Sequence, residues 1–108
     1  MAIKIDIKVE YESSSFVGEI LEYFDREFHV SEIHGYLNNL EGDCVIIMDN
    51  GDVITYVYQY AAFPGVCKEY HFYTINGQRT DLPVDCDESQ IQVIARAYGK
   101  YVDQRKSE

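Results

Sequence analysis

Residues 44–75, CVIIMDNGDVITYVYQYAAFPGVCKEYHFYTI, leave the backbone few choices. Apolar and aromatic residues recur at alternate positions in three runs, interrupted by Asn50-Gly51 and Pro64-Gly65. Period two is the repeat of a strand, and β-branched and aromatic side chains suit a pleated surface. Asn-Gly between two such runs predicts a two-residue type I′ turn, whose central residues both need positive φ. The stretch therefore predicts an antiparallel meander of three strands. The Asn50-Gly51 turn would set Asp49 opposite Asp52, a like-charge pair that costs up to about 1 kcal/mol and discourages edge pairing.

Register follows from the turns. With Asp49 facing Asp52, Ile47 faces Ile54 and Val45 faces Tyr56. A loop over 61–65 joining Tyr60 to Val66 then sets Tyr58 opposite Lys68, Tyr56 opposite Tyr70 and Ile54 opposite Phe72. One face would hold Val45, Ile47, Ile54, Tyr56, Tyr58, Tyr60, Tyr70 and Phe72. The other would hold Cys44, Ile46, Met48, Val53, Thr55, Val57, His71 and Tyr73. Neither is polar enough to face only solvent, so the tyrosine run is either core or an offered surface. The expectation carried forward is partial exposure of Tyr56, Tyr58 and Tyr70, because tyrosine joins an apolar body to a hydroxyl that reaches water.

The remaining segments supply helices and one more strand. Ile3, Ile5, Ile7, Val9 and Tyr11 alternate with Lys4, Asp6, Lys8, Glu10 and Glu12, a half-buried strand. Ser13–Ser15 offer N-caps to an amphipathic helix over 15–29, with Phe16, Val17, Ile20, Leu21, Phe24 and Phe28 inward. Ser31 caps a second, shorter helix with Ile33, Leu37 and Leu40 inward, weakened by Gly35. Residues 75–85 read as a loop, opening on a further Asn76-Gly77 turn. Asp87 and Gln90 resemble a capping box ahead of a last helix with Ile91, Ile94, Ala95, Tyr98 and Val102 buried. Residues 104–108 read as a frayed tail. The prediction is one α+β domain over 1–108, in the order β-α-α-β-β-β-α, with helices packed on an antiparallel sheet.

Charge narrows the partners. Nineteen Asp and Glu against nine Lys and Arg leave a net charge of −10. That disfavours direct binding to nucleic acid or to an anionic membrane, since both require clustered Lys and Arg. It favours a basic protein partner, whose approach it would steer, and it also serves simple dispersal of a small protein. Carboxylates collect at Glu10 and Glu12, at Glu19, Glu22, Asp25 and Glu27 on the first helix, and at Asp81, Asp85, Asp87 and Glu88. Acids one helical turn apart lie about 5–6 Å from each other, like successive phosphates, and could occupy a Lys/Arg groove.

The alternative in chemistry is a small enzyme or ligand-binding domain, which would need a deep pocket holding His71, Glu69 and Cys67 or Cys86. Cys44, Cys67 and Cys86 are odd in number and lack CxxC spacing, which points to reduced thiols and a cytoplasmic protein. His29 and His34, or Cys67 with His71, do not converge as ligands, so no metal or cofactor is expected. Cys86 sits among acids that would disfavour a thiolate. Phosphate loops and GxSxG elbows are missing from the sequence, and no enzymatic activity is expected.

Small size, strong acidity, reduced cysteines and an idiosyncratic α+β order together resemble the anti-defence proteins of phages and mobile elements, including anti-CRISPR and anti-restriction proteins. The resemblance is one of class and carries no residue over. It implies a stoichiometric inhibitor, monomeric or homodimeric, that blocks a CRISPR effector or nuclease at its basic groove. Glu19, Glu22, Asp25, Glu27 and Asp85 would meet Arg and Lys, with Tyr56, Tyr58 and Tyr70 as anchors. Immunity proteins that neutralise nuclease toxins share the profile.

Overall fold

A computed structural model describes residues 3–9, 14–38, 41–63, 66–79 and 89–106. Strand β1 (Lys4–Val9) precedes helix α1 (Ser14–Ile20), which runs into a π-helical turn (Leu21–Asp25). Strands β2 (Val30–Leu37), β3 (Glu41–Met48), β4 (Val53–Phe63), β5 (Val66–Ile75) and β6 (Gln78–Arg79) follow. Helix α2 (Gln90–Lys106) comes last. The sheet is ordered β1-β2-β3-β4-β5-β6, with β1 parallel to β2 and every other pair antiparallel. The α+β class stands. The predicted order and the purely antiparallel sheet do not, because α1 carries the chain back so that β2 starts beside β1 in the same direction.

The predicted second helix is strand β2. Its buried residues are Val30, Ile33 and Leu37, whose separations of three and four imitate one face of a helix. A bulge between Val30 and Glu32 supplies the odd spacing. Between Ile33 and Leu37 stands Gly35, at φ +147, where an added Cβ would strike the Asp43 carbonyl oxygen and lie 2.9 Å from Cys44 Cα. Bulge and glycine together disguise a strand as a helix.

Both turns of the meander depart from the expected register. Ile47 pairs with Val53, so the first hairpin contains one residue more than a two-residue turn allows. Gly51 N donates to Met48 O at 3.0 Å and Met48 N to Asp52 O at 2.9 Å, while Gly51 alone in this loop takes positive φ, at 93°. That is a type I turn closed by a glycine bulge. At the other end β4 continues to Phe63, which pairs with Val66, so the connection is Pro64-Gly65 and not residues 61–65. The type I′ turn is instead at Asn76-Gly77, at φ 53° and 82°, between paired Ile75 and Gln78.

Each departure shifts pairing by an odd number, so β4 exchanges faces with both neighbours. Tyr56 pairs with Cys44 and Tyr73, not with Val45 and Tyr70. The register carries one isoleucine from each of five strands into a row, Ile5-Ile33-Ile46-Ile54-Ile75. Beside it run Cys44, Tyr56 and Tyr73, and Ile20, Phe24, Ile91, Val93, Ile94, Ala97 and Tyr98 from the helical segments complete one core. Phe28 meets Tyr98 edge-to-face at 4.7 Å between centroids.

The helical segments match their stripes in part: the first ends at Asp25 and not at residue 29, and on α2 Val93 and Ala97 are buried whereas Ala95 and Val102 are only partly so. Ile20 and Phe24 are fully buried, and Phe28 N still donates to Phe24 O at 2.7 Å. Helix α2 has its capping box at Ser89 and Gln92, two residues past the expected pair: Ser89 N donates to Gln92 Oε1 at 2.7 Å and Gln92 N to Ser89 Oγ at 3.2 Å. Asp87 lies outside the described residues. Residues 104–106 are helical and not a frayed tail, with Arg105 and Lys106 at the negative end of the helix.

Candidate functional site

Four of the acidic candidates come from one stretch. Glu19 is half-buried, whereas Glu22, Asp25 and Glu27 are exposed along the π-helical turn and the residues after it. A π turn adds a residue to the helical phase, so Asp25 and Glu27 are rotated from the line an α-helix would give Glu19 and Glu22. Ile20 and Phe24 hold this ridge to the core. Arg26 stands among the acids, 3.9 Å from Glu27 and over the Tyr23 ring at 5.9 Å. No helix among the described residues is long and apolar enough to cross a membrane.

Tyr56 does not join the ridge. Tyr56 is 2% exposed beneath the helical layer, so it is core and not an anchor, which corrects the expected exposure. Backbone alternation sets positions 56 and 70 on opposite faces, because Tyr70 pairs with Gln59. Position 58 shares the face of position 56, so the register does not set positions 56, 58 and 70 on one face. Asp85 lies outside the described residues, as do Asp81 and Glu88.

Exposed carboxylates are also found elsewhere: Asp6 on β1, Glu41 and Asp43 on β3, Asp49 in the first turn and Asp103 on α2. Negative charge is thus spread over the described surface and not gathered on one side. No group of three or more His, Cys, Asp or Glu among the described residues is placed to hold a metal ion.

The most connected polar group lies where the sequence indicated only a turn. Asp52 is buried at 5% exposure between the two Asn-Gly turns and the last turns of α2. Tyr98 Oη donates to it at 2.7 Å, Asn76 Nδ2 at 3.0 Å and Asn50 Nδ2 at 3.2 Å, and Arg105 Nη1 donates to both carboxylate oxygens at 2.8 and 2.9 Å. Asn76 also donates to Tyr101 Oη at 2.9 Å, and Arg105 lies over the Tyr101 ring at 5.4 Å. Burial alone would raise the Asp52 carboxyl; the donated bonds from Tyr98, Asn76 and Arg105, with the Arg105 charge, outweigh it and hold the group below the ordinary range. Burial first, then the bond to Asp52, pushes the Tyr98 phenol up to about 12.

Tyr98 and Arg105 reach Asp52 from α2, and Asn50 and Asn76 reach it from the two turns, so the group is a fastening. One sequence signal was available: Tyr101 and Arg105 lie at helical spacing from Tyr98 of the buried stripe and line up polar groups along its edge. What those groups met could not be read from spacing.

Cys44 is fully buried, and burial, followed by the neighbouring Asp43, pushes its thiol up to about 12. It is expected to resist alkylation in the native protein and to react once urea unfolds the chain, as peptide mapping by mass spectrometry would record. Rapid native labelling at Cys44 would show that the core around β3 opens.

No protein-family model, curated protein or solved structure matches the chain at a significant level.

Proposed function

We propose that the chain is a stoichiometric protein inhibitor that binds the basic groove of a nucleic-acid-binding protein through its first helical segment. The observation that carries this reading is the exposure of Glu22 and Asp25 on the π-helical turn and of Glu27 just after it, on a ridge anchored by buried Ile20 and Phe24. Fixed carboxylates on a rigid element lose little freedom on meeting Arg or Lys, and a net charge of −10 steers the encounter. The narrower assignment is an anti-CRISPR protein acting in the cytoplasm, with no catalytic step and no cofactor. It rests on the resemblance of class.

The spread of charge restricts the mechanism. A ridge of three exposed acids fits one strip of a groove, rather than the path of a whole polynucleotide.

The test is competition. A panel of purified CRISPR effectors, each with its guide, is titrated with the protein while target-DNA binding is followed by gel shift. At least one is expected to lose DNA binding at near-equimolar inhibitor, and to recover as salt rises. The Glu22→Lys, Asp25→Lys double variant is expected to weaken inhibition by roughly 100-fold. Inhibition indifferent to both changes would overturn the ridge, and no inhibition across the panel would overturn the anti-CRISPR assignment. A parallel panel of nuclease toxins reads out the immunity-protein alternative.

A further inference from the structure

The sheet has two unequal edges. β6 is two residues long and closes one side, whereas β1 presents six residues whose outer edge pairs with no described strand. A long free edge is a template for another strand, and proteins usually blunt it with charge or cover it. Here the edge also carries an apolar residue. Ile5 is 46% exposed, the one large hydrophobic side chain so exposed among the described residues. It ends the isoleucine row, whose other members, Ile33, Ile46, Ile54 and Ile75, are at most 2% exposed.

We propose that β1 pairs antiparallel with β1 of a second copy, centred on Ile5, joining two sheets into one across a two-fold axis. The charges permit this register, and the exposure of Ile5 selects it over pairing about partly buried Ile7, which would also set opposite charges together, Asp6 against Lys8. Pairing about Ile5 sets Ile5 against Ile5, Ile3 against Ile7, and Lys4 of each copy against Asp6 of the other. Pairing about Asp6 would oppose Asp6 to Asp6 and Lys4 to Lys8, which repel. Lys4 is 68% exposed and Asp6 80% exposed, so both reach a neighbour despite their longer contacts within the chain, 3.9 Å to Glu32 and 3.8 Å to His34. A two-fold contact of this kind is self-complementary, as a homodimer interface must be. It runs the isoleucine row unbroken through both copies and places both helical layers on one side of the joint sheet. The inhibitor reading is not needed for it.

Sedimentation equilibrium of the purified full chain tests the pairing through charge exchange. The wild type is expected to form a reversible dimer. Lys4→Asp opposes two carboxylates at two symmetry-related places and is expected to raise the dissociation constant at least roughly tenfold. The Lys4→Asp, Asp6→Lys double variant restores opposite signs in the same register and is expected to recover the dimer. Ile5→Lys is expected to leave a monomer with unchanged far-ultraviolet circular dichroism. Lys8→Asp, outside the complementary pairs, is expected to change nothing. A wild type that stays monomeric up to roughly 1 mM, the weak end of specific association, overturns the proposal. So does a dimer that survives Ile5→Lys, or one broken by Lys8→Asp and not rescued by the exchange.

Discussion

Gly35→Ala is expected to remove about 3–5 kcal/mol of folding free energy, much of what a domain of this size holds. Gly35 has φ +147, and the position its Cβ would take is already filled by the Asp43 carbonyl and by Cys44 Cα at 2.9 Å. These neighbours are backbone of β3 and cannot swing away as a side-chain tip could. Relief would require parting β2 from β3 beside fully buried Ile33, Cys44 and Ile46. Thermal unfolding is expected to fall by at least about 10 °C. The control is Gly18→Ala, where nothing lies within 4 Å of the added carbon and the residue is helical. That change is expected to stabilise by about 0.5–1 kcal/mol. One substitution at two glycines thus takes opposite signs, and a Gly35→Ala protein as stable as the wild type would refute the close approach.

Asp52→Ala is expected to cost about 2–4 kcal/mol by urea unfolding. It removes the acceptor for Tyr98, Asn76, Asn50 and Arg105 together and leaves α2 tied to the Asn-Gly turns only by Asn76 to Tyr101 and by the longer bond from Asn50 to Tyr98. Most of the loss falls on Tyr98 and Asn76. Arg105 is half-exposed and rehydrates when the carboxylate goes, so its share is small. Asp52→Asn keeps the shape but turns an amide donor toward other donors, and it is expected to be little better than alanine.

Acid supplies a second readout. The folded carboxyl lies below its ordinary value of 3.8, so the native state binds this proton less readily than the unfolded chain does. The Asp52 contribution is therefore fully present above that value and is lost as pH falls through the lower folded one. The stability gap between wild type and Asp52→Ala is expected to be constant near neutrality and to narrow below about pH 4. A gap of one size down to pH 2 would show that Asp52 is not held ionised by its partners.

The fastening and the glycine contact illustrate what local pattern conveys. Helix α2 was legible from its stripe, although its capping box was read two residues early, and β1 from strict alternation over Ile3, Ile5 and Ile7. Caps and periods are properties of neighbouring residues, so no distant contact is needed to read them. The β2 segment misled because the bulge after Val30 and the missing side chain at Gly35 leave apolar residues at helical spacing. Whether such a segment extends or coils is settled by β1 and β3, which offer it backbone partners on both sides. Asp52 looked like a turn residue set against Asp49. Its true partners, Asn76, Tyr98 and Arg105, lie 24, 46 and 53 positions away.

Among the candidate site residues, exposure of Glu22, Asp25 and Glu27 was legible, since charged side chains on the wet side of an amphipathic helix stay wet. The fate of Tyr56 was not, because its surroundings depend on the parity of two turns. One extra residue at Gly51 and the shorter connection after Phe63 moved it against Cys44 and Tyr73. A single residue in a loop costs little locally, yet it decides which face of every paired strand the helices cover.

By itself, then, the amino-acid order determined the strands of the meander, the capped last helix, the acidic character and the wet side of the first helix. Each of these depends on spacing or charge within a short window. Only the tertiary structure decided that Val30–Leu37 is a strand, that Tyr56 belongs to the core and that Asp52 secures α2. Those outcomes depend on hydrogen-bonding and burial partners that folding alone brings within reach.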